Sequence, residues 1–363
     1  MPKISIVLPT YNGEKYISEA VESILSQTFE DWELIIVNDC SVDSTESIVN
    51  QYIKKDSRIK KISNKTNQKL PRSLNIGFFS AKGEYLTWTS DDNIFLPNAL
   101  YEMNKYLDKN VNEVMVQAKY SLIDNNGRFL YESDRYDEKT MYVNNCVGAC
   151  FLYRREVLDT VGDYNPNKFL IEDYDYWLRI LFRYGSIGSI NTVLYKYRRH
   201  EDSLTNTRAK AIHMKLLELR MEYLDKLLKI LINRKDLLCE IYYEFKQGDM
   251  INDHIKKIFF SIVPELKIDC EEVKHIPSVV YGAGHYGKIA YKKYMDIITC
   301  YIDKDKCGTY LYCKEIVAPS RINEFDGKYQ ILVAVGPHNV YSVLKTLIQY
   351  QVKKCSVVCI GDK

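Results

Sequence analysis

The sequence predicts an α/β protein: a mostly parallel sheet with flanking helices, then a helical connector, then a small second α/β unit. Three observations carry this. Short apolar runs alternate with amphipathic segments over roughly the first 90 residues. Residues 207–262 lose the strand signal and carry Ile212, Leu216, Leu217, Met221, Leu224, Leu227, Leu228 and Leu231 at helical spacing. From Ser278 a new alternation of strand and helix runs onward. At 363 residues the chain is longer than one ordinary core supports, which also fits two domains.

The elements follow in order. Lys3-Ile4-Ser5-Ile6-Val7-Leu8-Pro9 reads as a buried parallel strand, and Tyr11-Asn12-Gly13 turns it into a helix with Ile17, Ala20, Val21, Ile24 and Leu25 on its apolar side. A strand at 33–37 comes next. Ser41-Val42-Asp43-Ser44-Thr45 then offers caps for a helix carrying Ile48, Val49 and Tyr52. Residues 59–63 form a third strand, 70–81 a helix and 84–89 a fourth strand. Strand, helix, strand, helix is a right-handed parallel unit, and such sheets bind ligands at the carboxyl ends of their strands. Asn12, Asp39 and Asp92 all fall there.

Three carboxylate clusters stand at the ends of these runs: Asn38-Asp39-Cys40-Ser41, Ser90-Asp91-Asp92-Asn93 and Ile171-Glu172-Asp173. Unpaired carboxylates are costly to bury, so such clusters face a cleft and a ligand, often a metal ion, and an enzyme is the leading reading. Fifty basic against 48 acidic residues leave a formal net charge of +2, so no global field recruits nucleic acid. Ten cysteines lack zinc-site spacing and no signal segment precedes the first strand, which points to reduced thiols in the cytoplasm, with Cys40 and Cys146 as small core residues. No apolar run approaches the roughly 20 residues that span a bilayer. The basic residues of the connector, Arg208 to Lys235, suit peripheral contact with an anionic membrane, a dimer contact or a solvated helix face.

Four segments in this order resemble one known family. They are Val7-Leu8-Pro9-Thr10-Tyr11-Asn12; Val37-Asn38-Asp39-Cys40-Ser41-Val42-Asp43-Ser44-Thr45; Ala81-Lys82-Gly83-Glu84-Tyr85 leading into Ser90-Asp91-Asp92-Asn93; and Glu172-Asp173 followed by Trp177-Leu178-Arg179. The chain resembles the inverting GT-A glycosyltransferases of the family 2 type over residues 2–205. The resemblance implies a GT-A, Rossmann-like domain at 1–205, with a nucleotide half before the Asp pair and an acceptor half after it; the helical pattern and the new alternation that follow set a connector at 206–275 and a last domain at 276–363.

It also implies roles. Pro9, Thr10 and Tyr11 cradle the base and ribose of a nucleotide-diphosphate sugar, and Asp39 accepts from the base, where the N3 proton of uracil would make UDP the nucleotide. Asn38 stands where the family has Asp, and Cys40 where it has Gly. Glu14 adds polarity at a helix start or is a plain first-turn carboxylate. Counting back from Leu96-Pro97 puts Ser90 on the first acid of the family's Asp-x-Asp and Asp92 on the second. Asp92 then holds Mn²⁺ or Mg²⁺ together with substrate phosphates and water. Asp91 contacts ribose or water, and Asn93 is polar support; the plain alternative is an Asx turn before the helix at Pro97. Asp173 matches the base that takes the acceptor proton, with Glu172 orienting acceptor or base, although both also suit a helix's first turn. His200 matches a position that ligates the metal or touches the diphosphate, with Arg198 and Arg199 as phosphate partners. An inert loop histidine is the alternative.

Val279-Val280-Tyr281 leads into Gly282-Ala283-Gly284-His285-Tyr286-Gly287, a glycine turn opening a helix, with Asp303 ~20 residues on at the next strand end. This looks like a Rossmann-like module. Gly282, Gly284, Gly287 and Asp303 are the candidates for a second nucleotide or NAD(P) site, against docking, dimerisation or a remnant. Further strands are expected near 298–302, 331–335 and 355–360. The expected activity is metal-dependent, inverting transfer from a UDP-sugar to a hydroxyl of a glycan or lipid-linked glycan, in building a bacterial surface polysaccharide. The alternatives are an NAD(P)-dependent sugar-modifying enzyme centred on the last domain and a non-catalytic nucleotide-sugar sensor. Acceptor choice is expected within 120–170, where Asn144-Asn145-Cys146-Val147-Gly148 resembles a family acceptor segment.

Overall fold

Every side chain of Ile4–Thr10 is buried, so an apolar run without alternation becomes β1, an inner strand covered on both faces. The computed structural model describes residues 1–133, 139–201, 203–269, 272–325 and 328–358. The chain divides into two units, Met1–Leu219 and Arg220–Lys363. The expected borders at 205/206 and 275/276 fall inside these units.

In the first unit β1 is followed by α1 (Ile17–Leu25), β2 (Trp32–Asn38), α2 (Thr45–Lys55), β3 (Ile59–Ser63), α3 (Leu70–Ser80) and β4 (Tyr85–Trp88), the alternation expected from the sequence. These strands pair in parallel in the order β3-β2-β1-β4, with Ile6 level with Leu34 on one side and Thr87 on the other. Their carboxyl ends therefore share one edge of the sheet. There the chain leaves β1 at Tyr11, β2 at Asp39 and β4 at Thr89.

Beyond β4 the sheet becomes mixed, through strands that were not anticipated. They are β5 (Ile94–Phe95), β6 (Met115–Ile123), β7 (Phe129–Glu132), β8 (Phe151–Arg154) and β9 (Gly188–Arg198), with α4 (Ala99–Lys109), α5 (Arg155–Val161) and α6 (Glu172–Tyr184) between them. Among the described residues nine strands form this sheet in the order β3-β2-β1-β4-β8-β6-β9-β5, with β7 on β6. The antiparallel pairing of β5 with β9 sets Phe95 against Tyr195 and Ile94 against Lys196. That register carries the chain after β9 back to the end of β4. One core of Leu8, Ile36, Leu100, Met103, Leu152 and Tyr195 lies beneath it. The short α7 (Leu204–Thr207) and then α8 (Ala209–Glu222) follow.

The second unit has α9 (Leu224–Ile230), α10 (Lys235–Gln247), α11 (Asp253–Ile262), β10 (Ser278–Tyr281), α12 (His285–Tyr294), β11 (Ile298–Ile302), β12 (Tyr310–Leu311), β13 (Lys314–Val317), β14 (Gln330–Val333), α13 (Pro337–Gln349) and β15 (Ser356–Val357). Its sheet runs β12-β13-β11-β10-β14-β15, parallel except between β12 and β13. Asp269 is buried and accepts from Tyr243 Oη at 2.9 Å, Lys246 Nζ at 2.7 Å and Val357 N at 2.9 Å, fastening α10 to β15. The last expected strand reached residue 360, and 359–360 lie outside the described residues. Among the basic residues expected to offer a membrane face, Arg220 is buried on Glu244, while Arg234 pairs with Asp236 and Lys235 with Glu265. No helix among the described residues is long and apolar enough to cross a membrane.

Candidate active site

The loops at the carboxyl ends of β1, β2 and β3 are tied together by short polar side chains. Asp39 is buried, and its Oδ1 accepts from Asn64 Nδ2 (2.8 Å) and Gln68 N (2.7 Å) while Oδ2 accepts from Lys69 N (2.9 Å). It therefore braces the loop between β3 and α3. A carboxylate offers about four acceptor positions, so about one remains. Cys40 next to it has φ 66°, the left-handed region that favours glycine, and carries a side chain there at a cost of roughly 1–2 kcal/mol. Contrary to expectation, Cys40 and Cys146 are half-buried, not core residues. Glu14 acts as an interloop cap, because its carboxylate accepts from Ser44 N at 2.9 Å while Asp43 accepts from Glu14 N at 3.1 Å. Tyr11 is exposed at the rim, and Pro9 lies within β1 opposite Val37.

The Asp pair separates into two roles. Asp91 turns back onto β1 and accepts from Thr10 Oγ1 at 2.5 Å. Desolvation, then the neighbouring Asp92 charge, push its carboxyl up to about 7. Gly13 is the floor of this contact: a Cβ there would lie 2.2 Å from Asp91 Oδ2 and 2.6 Å from Thr10 Oγ1. Asp92 points the other way, with Oδ2 3.0 Å from His200 Nε2. Its Oδ1 is buried with no hydrogen-bond partner among the described residues. An orphaned buried oxygen costs about 1–3 kcal/mol, which a partner bound at this oxygen would recover. No cluster of three or more His, Cys, Asp or Glu side chains able to hold a metal forms among the described residues. One carboxylate with a spare oxygen and one imidazole fit a divalent cation that takes its remaining ligands from phosphates and water.

Arg198 is not a phosphate partner. It is 1% exposed, and its fork is spent on protein: Nε donates to Asp92 O at 2.9 Å and Nη2 to Glu19 Oε2 at 2.6 Å. Asn93 supports it by accepting from Arg198 N at 2.8 Å. Arg199 stays exposed on the loop.

Glu172 and Asp173 open α6. Glu172 is 4% exposed and its Oε2 is unpartnered among the described residues. Burial first, and then the Asp173 charge, push its carboxyl up to about 8. Asp173 accepts from Asn145 Nδ2 at 3.1 Å and from its successor's amide, Tyr174 N, at 2.7 Å; burial still holds it above the ordinary aspartate value. The preceding loop is tight, with Leu170 at φ 83° and Phe169 O accepting from Lys215 Nζ at 3.0 Å. Two adjacent carboxylates raised by burial are candidates for proton transfer, and purely structural pairs are raised by burial too.

In the second unit Gly282 has φ 110°, and a Cβ on Gly287 would lie 2.1 Å from Gly282 O, so the turn needs both glycines. Asp303 accepts from Ala283 N (2.8 Å), Asp305 N (3.0 Å) and Lys306 N (3.2 Å). Its carboxylate braces the turn and its own loop. Gly284 is open, with nothing near a Cβ built there.

A model of glycosyl transferase family 2 matches residues 5–162. An uncharacterized glycosyltransferase of Methanocaldococcus jannaschii is 31% identical over 206 residues, covering 54% of this chain and 71% of its own. One of Rickettsia typhi is 33% identical over 217 residues, 57% of this chain and 67% of its own. The chain belongs to glycosyl transferase family 2. It is thus a transferase, and solved structures agree on the GT-A fold of this family 2 glycosyltransferase. S. aureus TarS 1-349, in complex with UDP-GlcNAc, superposes with a TM-score of 0.53 at 19% identity, covering 72% of this chain and 79% of that one. The mannosyltransferase PcManGT of Pyrobaculum calidifontis, in complex with GDP-Man and Mn²⁺, gives 0.54 at 14%, covering 73% and 80%.

Sequence reasoning missed Tyr197 in this family 2 glycosyltransferase. It lies on β9 within electrostatic reach of both Asp92 and Asp173, and its hydroxyl is 3.3 Å from Thr205 Oγ1. Tyr164 was missed as well; it accepts from Trp88 Nε1 at 3.0 Å and senses the Asp173 charge. Their signal lay only in β9 and in the 144–170 segment folding onto the end of β4.

Proposed function

We propose that this family 2 glycosyltransferase moves a sugar from a UDP-sugar to a hydroxyl acceptor with inversion, with Asp173 as base and Asp92 and His200 as holders of Mn²⁺ or Mg²⁺. The observation that carries the reading is the buried, unpartnered Asp92 Oδ1 beside the Asp92–His200 contact. Asp39 retains about one acceptor position, which suits the single N3 proton of uracil; guanine presents two donors on its N1 and N2 edge and would want both. Thr10, Tyr11 and Asp91 then border the ribose.

Asp173 removes the acceptor hydroxyl proton as that oxygen attacks the anomeric carbon, the new C–O bond forming opposite the breaking bond to the diphosphate. Proton removal of this kind contributes about 10²–10⁴-fold. Asn145 orients the carboxylate, and Glu172, kept partly protonated by burial, can donate to an acceptor hydroxyl. A bound divalent cation supplies charge stabilisation for the departing diphosphate. Acceptor contacts come from Tyr197 and the 144–148 loop, and the acceptor is a glycan or lipid-linked glycan in surface polysaccharide assembly. Calorimetry with UDP and with GDP, each with and without Mn²⁺, tests the reading. Mn²⁺-enhanced binding of UDP over GDP, lost in Asp92→Ala, is expected; equal binding without metal in both proteins would overturn it.

A further inference from the structure

We propose that Arg198 is a positioning residue that sets Asp92 and His200 for the cation, an inference that rests on the metal reading above. A guanidinium can be buried only if its donors are matched, since an unpaired charge out of water is severely penalised. Arg198 meets that condition with groups from three separate elements. Its Nε holds the Asp92 carbonyl at 2.9 Å. Its Nη1 reaches Asn125 O at 3.3 Å and Asp124 O at 3.5 Å, in the turn between β6 and β7. Its Nη2 meets Glu19 of α1 at 2.6 Å, and Glu19 is the exposed member of that pair.

The same residue acts on His200 through Tyr16. The guanidinium lies over the Tyr16 ring, 4.5 Å from its centroid; His200 packs on the same ring at a centroid distance of 5.3 Å, and Lys15 Nζ also approaches it, at 4.8 Å. Tyr16 Oη donates to Asn125 O at 3.4 Å, the carbonyl that Arg198 also holds. One planar side chain therefore pins the backbone of one metal-side residue and the platform under the other. Lysine cannot reproduce this, because a point charge on a flexible stem has neither the fork nor the stacking plane. Such supporting partners are typically worth about 10- to 100-fold in metal affinity.

The test is calorimetric titration of the full chain with UDP alone and with Mn²⁺ in the presence of UDP, on wild type, Arg198→Gln, Arg198→Lys and Glu19→Ala. Electron paramagnetic resonance of bound Mn²⁺ is recorded alongside. The expected result is a Mn²⁺ affinity lower by about 10- to 100-fold in Arg198→Gln, a smaller loss in Arg198→Lys and in Glu19→Ala, an altered Mn²⁺ spectrum, and unchanged binding of UDP alone. Unchanged Mn²⁺ affinity in a folded variant overturns the inference. So does a parallel loss of metal-free UDP binding, which is what a merely structural role would give. If Arg198→Gln does not fold, Arg198→Lys and Glu19→Ala decide on the same criteria. Wild type lacking Mn²⁺-dependent UDP binding defeats the metal reading itself, and is distinguished because it appears before any substitution.

Discussion

His200 Nε2 lies 3.0 Å from Asp92 Oδ2 although 108 residues separate them in sequence. The contact exists because β9 returns antiparallel to β5, so the loop leaving β9 arrives where the chain has just left β4. His200→Ala should therefore lower Mn²⁺-dependent UDP affinity by at least about tenfold and leave metal-free UDP binding in place. Titrating Mn²⁺ into the UDP complex checks this, and an unaltered Mn²⁺ affinity would show the histidine to be a bystander.

Asp173 and Asn145 make the second prediction. The Asn145 amide donates to Asp173 Oδ2 and so favours the ionised form, against the burial that raises the carboxyl. Asp173→Asn should reduce kcat by about 10²–10⁴-fold with UDP binding retained. Asn145→Ala removes the favourable bond, so the acid limb of the kcat profile should move to higher pH and the rate loss should be larger at low pH than at high. A pH-independent loss in Asn145→Ala would remove Asp173 from the role of base.

Glu172 gives a stability prediction of definite sign. Its folded value is raised from 4.5 to about 8, so its contribution is fully present below 4.5 and is lost as pH rises through about 8. Glu172→Gln cannot titrate. Its melting temperature relative to wild type should thus climb between pH 4.5 and 8, and a change of ~1 kcal/mol would move Tm by about 2–4 °C. Calorimetric scans across that window settle it. A flat difference would mean that Glu172 titrates normally in the fold.

β1, β2 and β4 were legible because they are largely apolar and buried throughout, and parallel strands covered on both faces read that way, whereas β3, Ile-Lys-Lys-Ile-Ser, is only partly buried. The mixed half was not. β7 is Phe-Leu-Tyr-Glu with all four residues exposed, so its apolar letters carry no burial signal. β9 is eleven residues with irregular burial and two register shifts against β6, which breaks any period-two pattern. Asp92 and His200 were singled out through motif frame alone, and nothing in local sequence pattern signalled their contact. Arg198 was misread because arginine is rarely buried unless paired, and its partner Glu19 is 179 residues away. Cys40 shows the converse: a left-handed position that glycine would fill more easily carries a side chain, and nothing in the residue type announces φ 66°.

Gly13 carries the last prediction. Its φ is not in the left-handed region, so alanine is acceptable to the backbone and only space decides. A Cβ would lie 2.2 Å from Asp91 Oδ2 and 2.6 Å from Thr10 Oγ1, closer than real Cβ contacts come. Asp91 cannot retreat without breaking its 2.5 Å bond from Thr10 and disturbing the adjacent Asp92. Overpacking of this kind costs about 1–3 kcal/mol. The clash is present in the free fold, so Gly13→Ala should lower Tm by a few degrees. Because Gly13 sits on the loop between β1 and α1, beside Asp91 and Asp92, the displaced loop should also weaken UDP-sugar binding by about 5- to 100-fold. Equal affinity in the variant would mean that the loop can shift, and that the Thr10–Asp91 contact does not shape the donor site.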